Sequence, residues 1–197
     1  DDPLASLLDA DLVCSANWSA FHGSTEVFEA VADAGEGVFV FDPGSLGGLP
    51  DGQVRRLLDG LGHLEPAYRT VLAGNGVEID ALAAAAGVDS PDHETAVAGV
   101  RDAAGISGVV AHEEEVAVAG TGDGTVVVPN LDTDRVATVT GAGDRFTAGL
   151  GHGLAAGWGW EVSLALGNTC ASYHVVHGET IERDDVADYV QRHEARF

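Results

Sequence analysis

Apolar runs of strand length alternate with longer amphipathic stretches along most of the chain. This alternation predicts parallel strands joined by helices, because a parallel connection needs a crossover of a dozen or more residues. The predicted strands are 11–17, 37–41, 69–73 and 108–112, followed by a hairpin of 116–119 and 125–128. The predicted helices are 24–34, 51–61, 76–86, 92–104, 144–156, 160–176 and 184–194. The pattern therefore predicts an α/β fold, a mostly parallel sheet with helices on both faces.

The length of 197 residues is enough for one sizeable core, and we expect a single domain spanning 1–197. No apolar run approaches the roughly 20 residues that a membrane helix needs. No basic-then-apolar segment opens the chain, which predicts a soluble cytoplasmic protein. The chain begins Asp1-Asp2-Pro3 and contains no Met, so we expect it to be part of a longer protein.

The charge balance excludes several classes of partner. The chain has 32 acidic residues against nine Arg and no Lys, for a formal net charge of −23. Such a surface repels nucleic acid and anionic membranes, which argues against binding either. The absence of Lys also excludes a P-loop, whose Lys contacts the phosphates. Because the Debye length is only about 3 Å at 1 M salt, the acidity indicates adaptation to concentrated salt in a halophile.

One glycine-rich segment follows an apolar stretch and opens a predicted helix: Thr140-Gly141-Ala142-Gly143-Asp144-Arg145-Phe146. Small residues let a ligand approach the backbone, and the first-turn N–H groups of a helix attract anions. Asp144 would place a proton acceptor beside those donors. This combination suits transfer of a phosphoryl group to a hydroxyl. The alternative interpretation is a turn in which Asp144 is simply the helix N-cap.

A second segment, Asn75-Gly76-Val77-Glu78, also lies between a predicted strand and a helix. Asn75 and Glu78 are three residues apart and therefore face the same side of a first helical turn. Their oxygens could hold Mg²⁺ through its waters, or they could form a capping box. Both segments lie at strand–helix junctions, where open α/β sheets bind ligands. The glycine clusters 120–124 and 149–153 are interpreted as structural.

These two motifs, in this order, resemble the Asn-x-x-Glu and Gly-Ala-Gly-Asp-x-Phe motifs of the ribokinase-like (PfkB) carbohydrate kinases. The resemblance extends from about Asp11 to the end of the chain. It implies an enzyme with a ribokinase-like three-layer sandwich that uses ATP and Mg²⁺ to phosphorylate a hydroxyl of a sugar or nucleoside-like substrate. It also implies that the family's N-terminal part and small β lid are missing here, and that the full-length protein could pair as a homodimer.

The resemblance also implies roles for individual residues. Asp144 would deprotonate the substrate hydroxyl. The amides of Gly141, Ala142 and Gly143 would stabilise the charge of the transferring phosphoryl group, with Gly141 and Gly143 also contacting the nucleotide. Asn75 and Glu78 would position Mg²⁺ and the nucleotide phosphates. The helix that carries Asn168 would lie near the adenine.

Two other classes of function were weighed against a kinase. A non-catalytic nucleotide-binding fragment, or a regulatory relative of the family, would share the same motifs. A dinucleotide-dependent oxidoreductase would carry Gly-x-Gly-x-x-Gly in its first βα turn and an acidic residue about 20 positions later, and the chain shows neither. Cys170, His174 and His177 fall on one helical face and could ligate a metal, but without an evident fourth ligand they are interpreted as packing residues.

Overall fold

A computed structural model of the chain describes residues 9–20, 25, 28–133 and 135–194. The chain divides into two compact units, which are described separately. The first comprises Asp1–His112 and Val118–Val126, and the second comprises Glu113–Ala117 and Val127–Phe197. The expectation of a single domain stays a prediction. None of the described helices is long and apolar enough to cross a membrane.

In the described part of the chain, the strands form a six-stranded sheet in chain order. They are β1 (Leu12–Ser15), β2 (Gly37–Phe41), β3 (Tyr68–Gly74), β4 (Gly108–His112), β5 (Val116–Thr121) and β6 (Gly124–Pro129). The pairs β1–β2, β2–β3 and β3–β4 are parallel. Only two residues separate β5 from β6, a connection that fits the predicted hairpin. The predicted class, a mostly parallel α/β sheet, is confirmed.

The helices follow the predicted pattern closely. They are α1 (Phe28–Ala34), α2 (Asp51–Leu64), α3 (Gly76–Ala86), α4 (His93–Ala104), α5 (Ala142–Ala155), α6 (Trp160–His177) and α7 (Val186–Glu194). The predicted start of α1 lies partly outside the described residues. Helix α2 runs three residues further than predicted, because Leu64 still contributes to its buried face. Helix α5 begins two residues before its predicted start at Asp144.

The central strands carry the core of the first unit. Val40, Val71 and Val110 are completely buried, and the neighbouring positions of β2, β3 and β4 are nearly so. Burial on both faces explains why these strands are continuous apolar runs without alternation. Phe28, on α1, packs its ring edge against Phe41 of β2, with centroids 5.7 Å apart.

Strand β1 does not share this burial. The sequence predicts a buried strand at 11–17, but Leu12 and Val13 are only half-buried and Cys14 is exposed. The prediction of burial is wrong for this chain, because among the described residues β1 is paired on one side only, by β2. An apolar run by itself does not distinguish a central strand from an edge strand.

Glu65 ties together the amino ends of two neighbouring strands. Its Oε2 accepts the backbone N–H of Thr70 at 3.1 Å and that of Ser107 at 2.9 Å. Its Oε1 accepts the Ser107 hydroxyl. Thr70 lies in β3 and Ser107 precedes β4, so one carboxylate satisfies donors at the entry to both strands. Hydrogen bonds to a charged acceptor are about twice as strong as neutral ones.

We expect Glu65→Ala to destabilise the protein by about 2–4 kcal/mol, because it leaves several partly buried donors without an acceptor. Chemical denaturation at constant salt measures the change. Asp59→Ala is the matched control: Asp59 lies on α2, the helix that ends directly before Glu65, is exposed, and should change stability by less than about 0.5 kcal/mol. Equal losses in the two variants would contradict this role for Glu65.

Close packing of two helices explains the glycine cluster 149–153 in the second unit. A Cβ at Gly149 would lie 2.9 Å from the Leu166 carbonyl oxygen, and one at Gly153 would lie 2.7 Å from the Ser163 hydroxyl. Gly167 on α6 similarly makes room for the ring of Phe146. The interpretation of this cluster as structural therefore agrees with the packing of α5 on α6.

Candidate active site

The Asn75–Glu78 segment forms a complete capping box at the start of α3. The Asn75 side-chain oxygen accepts the Glu78 N–H at 3.1 Å, and Glu78 Oε2 accepts the Asn75 N–H at 2.9 Å. Gly74 makes this arrangement possible, since a Cβ there would lie 3.0 Å from Glu78 Oε2. The interpretation of Asn75 and Glu78 as a capping box is confirmed. It leaves Glu78 Oε1 outside the box and holds the carboxylate in one place.

Glu78 is a buried acidic residue, with only 9% of its surface exposed to solvent. Burial raises the pKa of this carboxyl above its usual range. The hydrogen bond from the Asn75 N–H lowers the pKa, and the nearby negative charge of Asp42 raises it again. Asp42 follows β2, and Glu78 follows β3, the parallel neighbour of β2. Two carboxyl groups therefore follow the carboxyl ends of adjacent strands, near enough for the charge of one to act on the other.

This pair of carboxylates fits a divalent cation. A buried carboxylate beside a second negative charge is destabilised in its ionised form, and a bound cation removes that cost. Mg²⁺ typically keeps several waters and binds through one or two carboxylates. No group of three or more His, Cys, Asp or Glu side chains able to hold a metal by themselves occurs among the described residues. The residues present therefore suit Mg²⁺ that carries water or substrate oxygens.

In the second unit, Gly141 caps α5 in a left-handed conformation, with φ 86° and ψ 6°. Residues other than glycine rarely adopt this backbone conformation, so the motif needs Gly at this position. Asp144 lies in the first turn of α5 and is not its N-cap. The alternative interpretation of Asp144 as the capping residue is therefore wrong, because the turn at Gly141 already starts the helix.

The start of α5 presents backbone donors without side-chain capping. The Ala142 N–H bonds to the Val139 carbonyl at 3.1 Å. Within the described part of the chain, the N–H groups of Gly141, Gly143 and Asp144 have no protein acceptor. Three unpaired donors at a helix N-terminus are suited to an anion such as a phosphate.

Asp144 stands beside these donors with its side chain 61% exposed. The nearest cation is the Arg145 guanidinium, whose Nη1 lies 3.9 Å from Asp144 Oδ2. This separation exceeds hydrogen-bond length, so the carboxylate remains open to a hydroxyl approaching from solvent. The next residue, Phe146, is 98% buried and anchors the helix start.

Asn168 occupies a different kind of environment. It is buried on α6, and its Nδ2 donates to the carbonyls of Val128 at 3.3 Å and Pro129 at 3.2 Å. These bonds attach α6 to the end of β6. The side-chain nitrogen is therefore committed to the protein's own backbone, and a contact of this helix with adenine stays a prediction.

The structure assigns the predicted residues to two groups. Asn75 and Glu78 lie together in the first unit, whereas Gly141–Asp144 and Asn168 lie in the second. Sequence reasoning missed Asp42, although an acidic residue directly after a buried strand was an available signal. That strand neighbours β3, which ends directly before Asn75. Sequence reasoning also underestimated His174, whose ring faces the turn before Gly141.

Comparison with solved structures defines the class of protein. Fructokinase from Xylella fastidiosa, solved with bound ATP, superposes with a TM-score of 0.75 at 18% identity over 96% of this chain and 64% of its own. Ribokinase from Arabidopsis thaliana, complexed with ribose and ATP, gives 0.72 at 20% identity over 97% and 59%. At such identities the likeness establishes the fold, which is that of the ribokinase-like kinases.

The sequence places the chain more narrowly. Residues 18–193 match the family model of prokaryotic ketohexokinase, so the chain belongs to that family within the ribokinase-like kinases. A ketohexokinase from Haloferax volcanii is 32% identical over an alignment of 194 residues, and the match covers 94% of this chain and 52% of the relative. The chain thus spans about half the length of this curated relative. The resemblance to PfkB kinases noted from the motifs is confirmed.

We expect Glu78 to make stability depend on pH. A carboxyl group whose pKa is higher in the folded than in the unfolded chain favours folding at low pH. That contribution is complete below the unfolded pKa, near 4.5, and is lost as pH rises through the raised folded pKa. The stability of Glu78→Gln relative to the unsubstituted chain should therefore increase from pH 4 to pH 8, because Gln keeps the capping acceptor without the charge.

Denaturation midpoints across this pH range, at constant molar KCl and without divalent cations, measure the effect. Glu36→Gln is the control, since Glu36 is exposed in the same unit. A difference between Glu78→Gln and the unsubstituted chain that stays constant with pH would contradict the prediction.

Proposed function

We propose that this chain supplies the catalytic and nucleotide-binding part of an ATP-dependent kinase that phosphorylates a hydroxyl of a sugar or nucleoside-like substrate. The observation that carries the proposal is the start of α5. Gly141, in its left-handed conformation, exposes three unpaired amides directly beside the Asp144 carboxylate. A preorganised anion site next to a proton acceptor is what phosphoryl transfer to an alcohol requires.

Residues of this chain would accept the proton and stabilise the charge that moves during the reaction. Asp144 takes the proton of the substrate hydroxyl as that oxygen attacks the γ-phosphorus. The bond between the γ-phosphorus and the bridging oxygen breaks, and ADP leaves. The N–H groups of Gly141 and Gly143, with that of Ala142 nearby in the same turn, face the charge on the transferring group. Because this chain has no Lys, its backbone donors would take the place of the Lys that contacts the phosphates in a P-loop.

Magnesium would bind at the carboxylates that meet beyond β2 and β3. Glu78 is fixed by its capping box, and Asp42 provides the second negative charge. The bound ion would neutralise phosphate charge during transfer. Asn75 contributes mainly by holding Glu78, because its side-chain oxygen already accepts the Glu78 N–H.

The relatives support a substrate class to test first. The family is that of prokaryotic ketohexokinase, and the Haloferax volcanii relative is itself a ketohexokinase. We therefore propose a ketohexose as the acceptor to test first, followed by nucleosides. The other candidate, a nucleotide-binding protein without catalysis, would retain the same amides at α5 and is distinguished by turnover.

We expect Asp144→Asn to lower kcat for ketohexose phosphorylation by about 10²–10⁴-fold, because the hydroxyl loses its proton acceptor. The full-length protein containing this chain is assayed in molar KCl by following ADP release. The Mg·ATP affinity of this variant, from calorimetry, should change by less than about threefold, since Asn preserves size and the backbone amides remain. Asp184→Asn, at an exposed site in the same unit, is the control.

A wild-type protein that binds Mg·ATP but transfers phosphate to no ketohexose or nucleoside would establish the non-catalytic alternative. Full activity in Asp144→Asn would instead show that another group accepts the proton.

We expect Glu78→Gln to weaken Mg·ATP binding by about tenfold or more, because one of the two ionised carboxylates is removed while the capping box remains. Calorimetric titration with and without Mg²⁺ isolates the metal-dependent part, and Glu36→Gln is again the control. Unchanged Mg·ATP affinity in a folded Glu78→Gln variant would place the metal elsewhere.

A further inference from the structure

His174 is a buried imidazole whose two ring nitrogens both face backbone carbonyls. The residue lies in the last turn of α6 and is only 6% exposed. Its Nε2 is 2.9 Å from the Thr140 carbonyl oxygen, and its Nδ1 is 3.3 Å from that of Glu179. Carbonyl oxygens only accept hydrogen bonds, so the ring must donate. A neutral imidazole has one N–H, and the shorter contact with Thr140 assigns that proton to Nε2; the imidazolium ion would satisfy both contacts.

These contacts argue against the earlier interpretation of His174 as an ordinary packing residue. They also argue against a metal role, because a ligating nitrogen must present its lone pair and Nε2 instead faces an acceptor. Neither Cys170 nor His177 shares these carbonyls. His174 therefore acts as a donor to the backbone, between the segment before α5 and the segment after α6.

The position of the Thr140 carbonyl gives this hydrogen bond its importance. The Thr140 C=O and the Gly141 N–H belong to one planar peptide unit, and no described peptide bond is cis. In a trans peptide the carbonyl and the N–H point in opposite directions. A bond that holds the Thr140 oxygen towards His174 therefore aims the Gly141 N–H to the opposite side. Donation to the carbonyl also polarises the amide and strengthens its N–H as a donor.

The side chains of His174, Arg145 and Asp144 all lie close to Gly141. A Cβ built at Gly141 would lie 3.5 Å from His174 Nε2, 3.1 Å from Arg145 Nη1 and 3.8 Å from Asp144 Oδ2. The imidazole thus lies directly behind the residue whose amide opens the anion site. The charged groups that face the same residue are Arg145 and Asp144.

Other hydrogen bonds hold the backbone on both sides of the Thr140–Gly141 peptide. The N–H groups of Ala137 and Thr138 donate to the Val175 carbonyl at 2.7 and 3.3 Å. The Thr140 N–H is 3.3 Å from the Thr138 hydroxyl. The Ala142 N–H closes the turn on the Val139 carbonyl at 3.1 Å, and the Arg145 N–H is 3.3 Å from the Gly141 carbonyl oxygen. None of these backbone bonds uses the Thr140 carbonyl or the Gly141 N–H. Among the described residues, His174 is the side chain that bonds the Thr140 carbonyl.

We propose that His174 is a positioning residue of the phosphoryl-transfer site: by donating from Nε2 to the Thr140 carbonyl, it orients the Gly141 amide towards the transferring group. This assignment rests on the proposed kinase function, but the orientation of the peptide itself does not. The two can therefore be tested separately.

The test compares three variants of the full-length protein. His174→Leu removes the donor, His174→Gln keeps an N–H donor near the position of Nε2, and His177→Leu is the control. His177 lies three residues further on the same helix and is exposed. All three are first shown to be folded by denaturation in molar KCl.

Removing one preorganised donor from an anion site lowers kcat by about 10²–10³-fold. We expect misorienting one to lower kcat in His174→Leu by about 10–100-fold, with the sugar KM changed by less than about threefold. On a logarithmic scale, the kcat of His174→Gln should lie at least halfway from that of His174→Leu back to that of the wild type. His177→Leu should keep normal kcat. An unchanged kcat in folded His174→Leu, or equal losses in the Leu and Gln variants, would overturn the proposal.

A second readout does not depend on turnover. The Ala142 N–H is protected by its bond to the Val139 carbonyl, within the same turn. Its exchange with deuterium, followed by NMR, should become at least tenfold faster in His174→Leu and stay near normal in His174→Gln and His177→Leu. If the wild type transfers no phosphate, this result decides the positioning role by itself. Unchanged exchange in His174→Leu would overturn it.

Discussion

Burial of β2, β3 and β4 on both faces is the constraint that determines where this protein can keep polar side chains. In parallel strands covered by helices, every backbone donor and acceptor is used by the sheet and every side chain meets the core. Polar groups are therefore confined to the two ends of the strands. Glu65 satisfies donors at the amino ends, whereas Asp42, Asn75 and Glu78 gather at the carboxyl ends.

The starts of α3 and α5 show two uses of the same helical property. Each helix begins with unpaired N–H groups. Helix α3 satisfies its own through Asn75 and Glu78, and the result is a rigidly held carboxylate. Helix α5 begins at Gly141 without a side-chain cap, so its donors stay available for an anion. The two junctions thus supply complementary charges, one suited to a cation and the other to a phosphate.

The acidity of the chain makes this geometry more important. With a formal charge of −23 and no Lys, the protein repels phosphates over most of its surface. Attraction must come from short-range, well-aimed dipoles at the start of α5, close to Arg145. Short-range hydrogen bonds survive concentrated salt better than exposed charge pairs, which are screened. The dependence of the Gly141 amide on its orientation, and hence on His174, follows from the same reasoning.

The sequence by itself determined the local features. The strands Gly37–Phe41 and Gly108–His112, most helix boundaries and both motifs were predictable, because they depend on runs of neighbouring residues and on capping chemistry. Tertiary structure alone decided that β1 is only partly buried, that the charge of Asp42 acts on Glu78, and that His174 reaches Thr140, a residue 34 positions away. These relations join residues that are distant along the chain, and hydrophobic periodicity carries no information about which of them will meet.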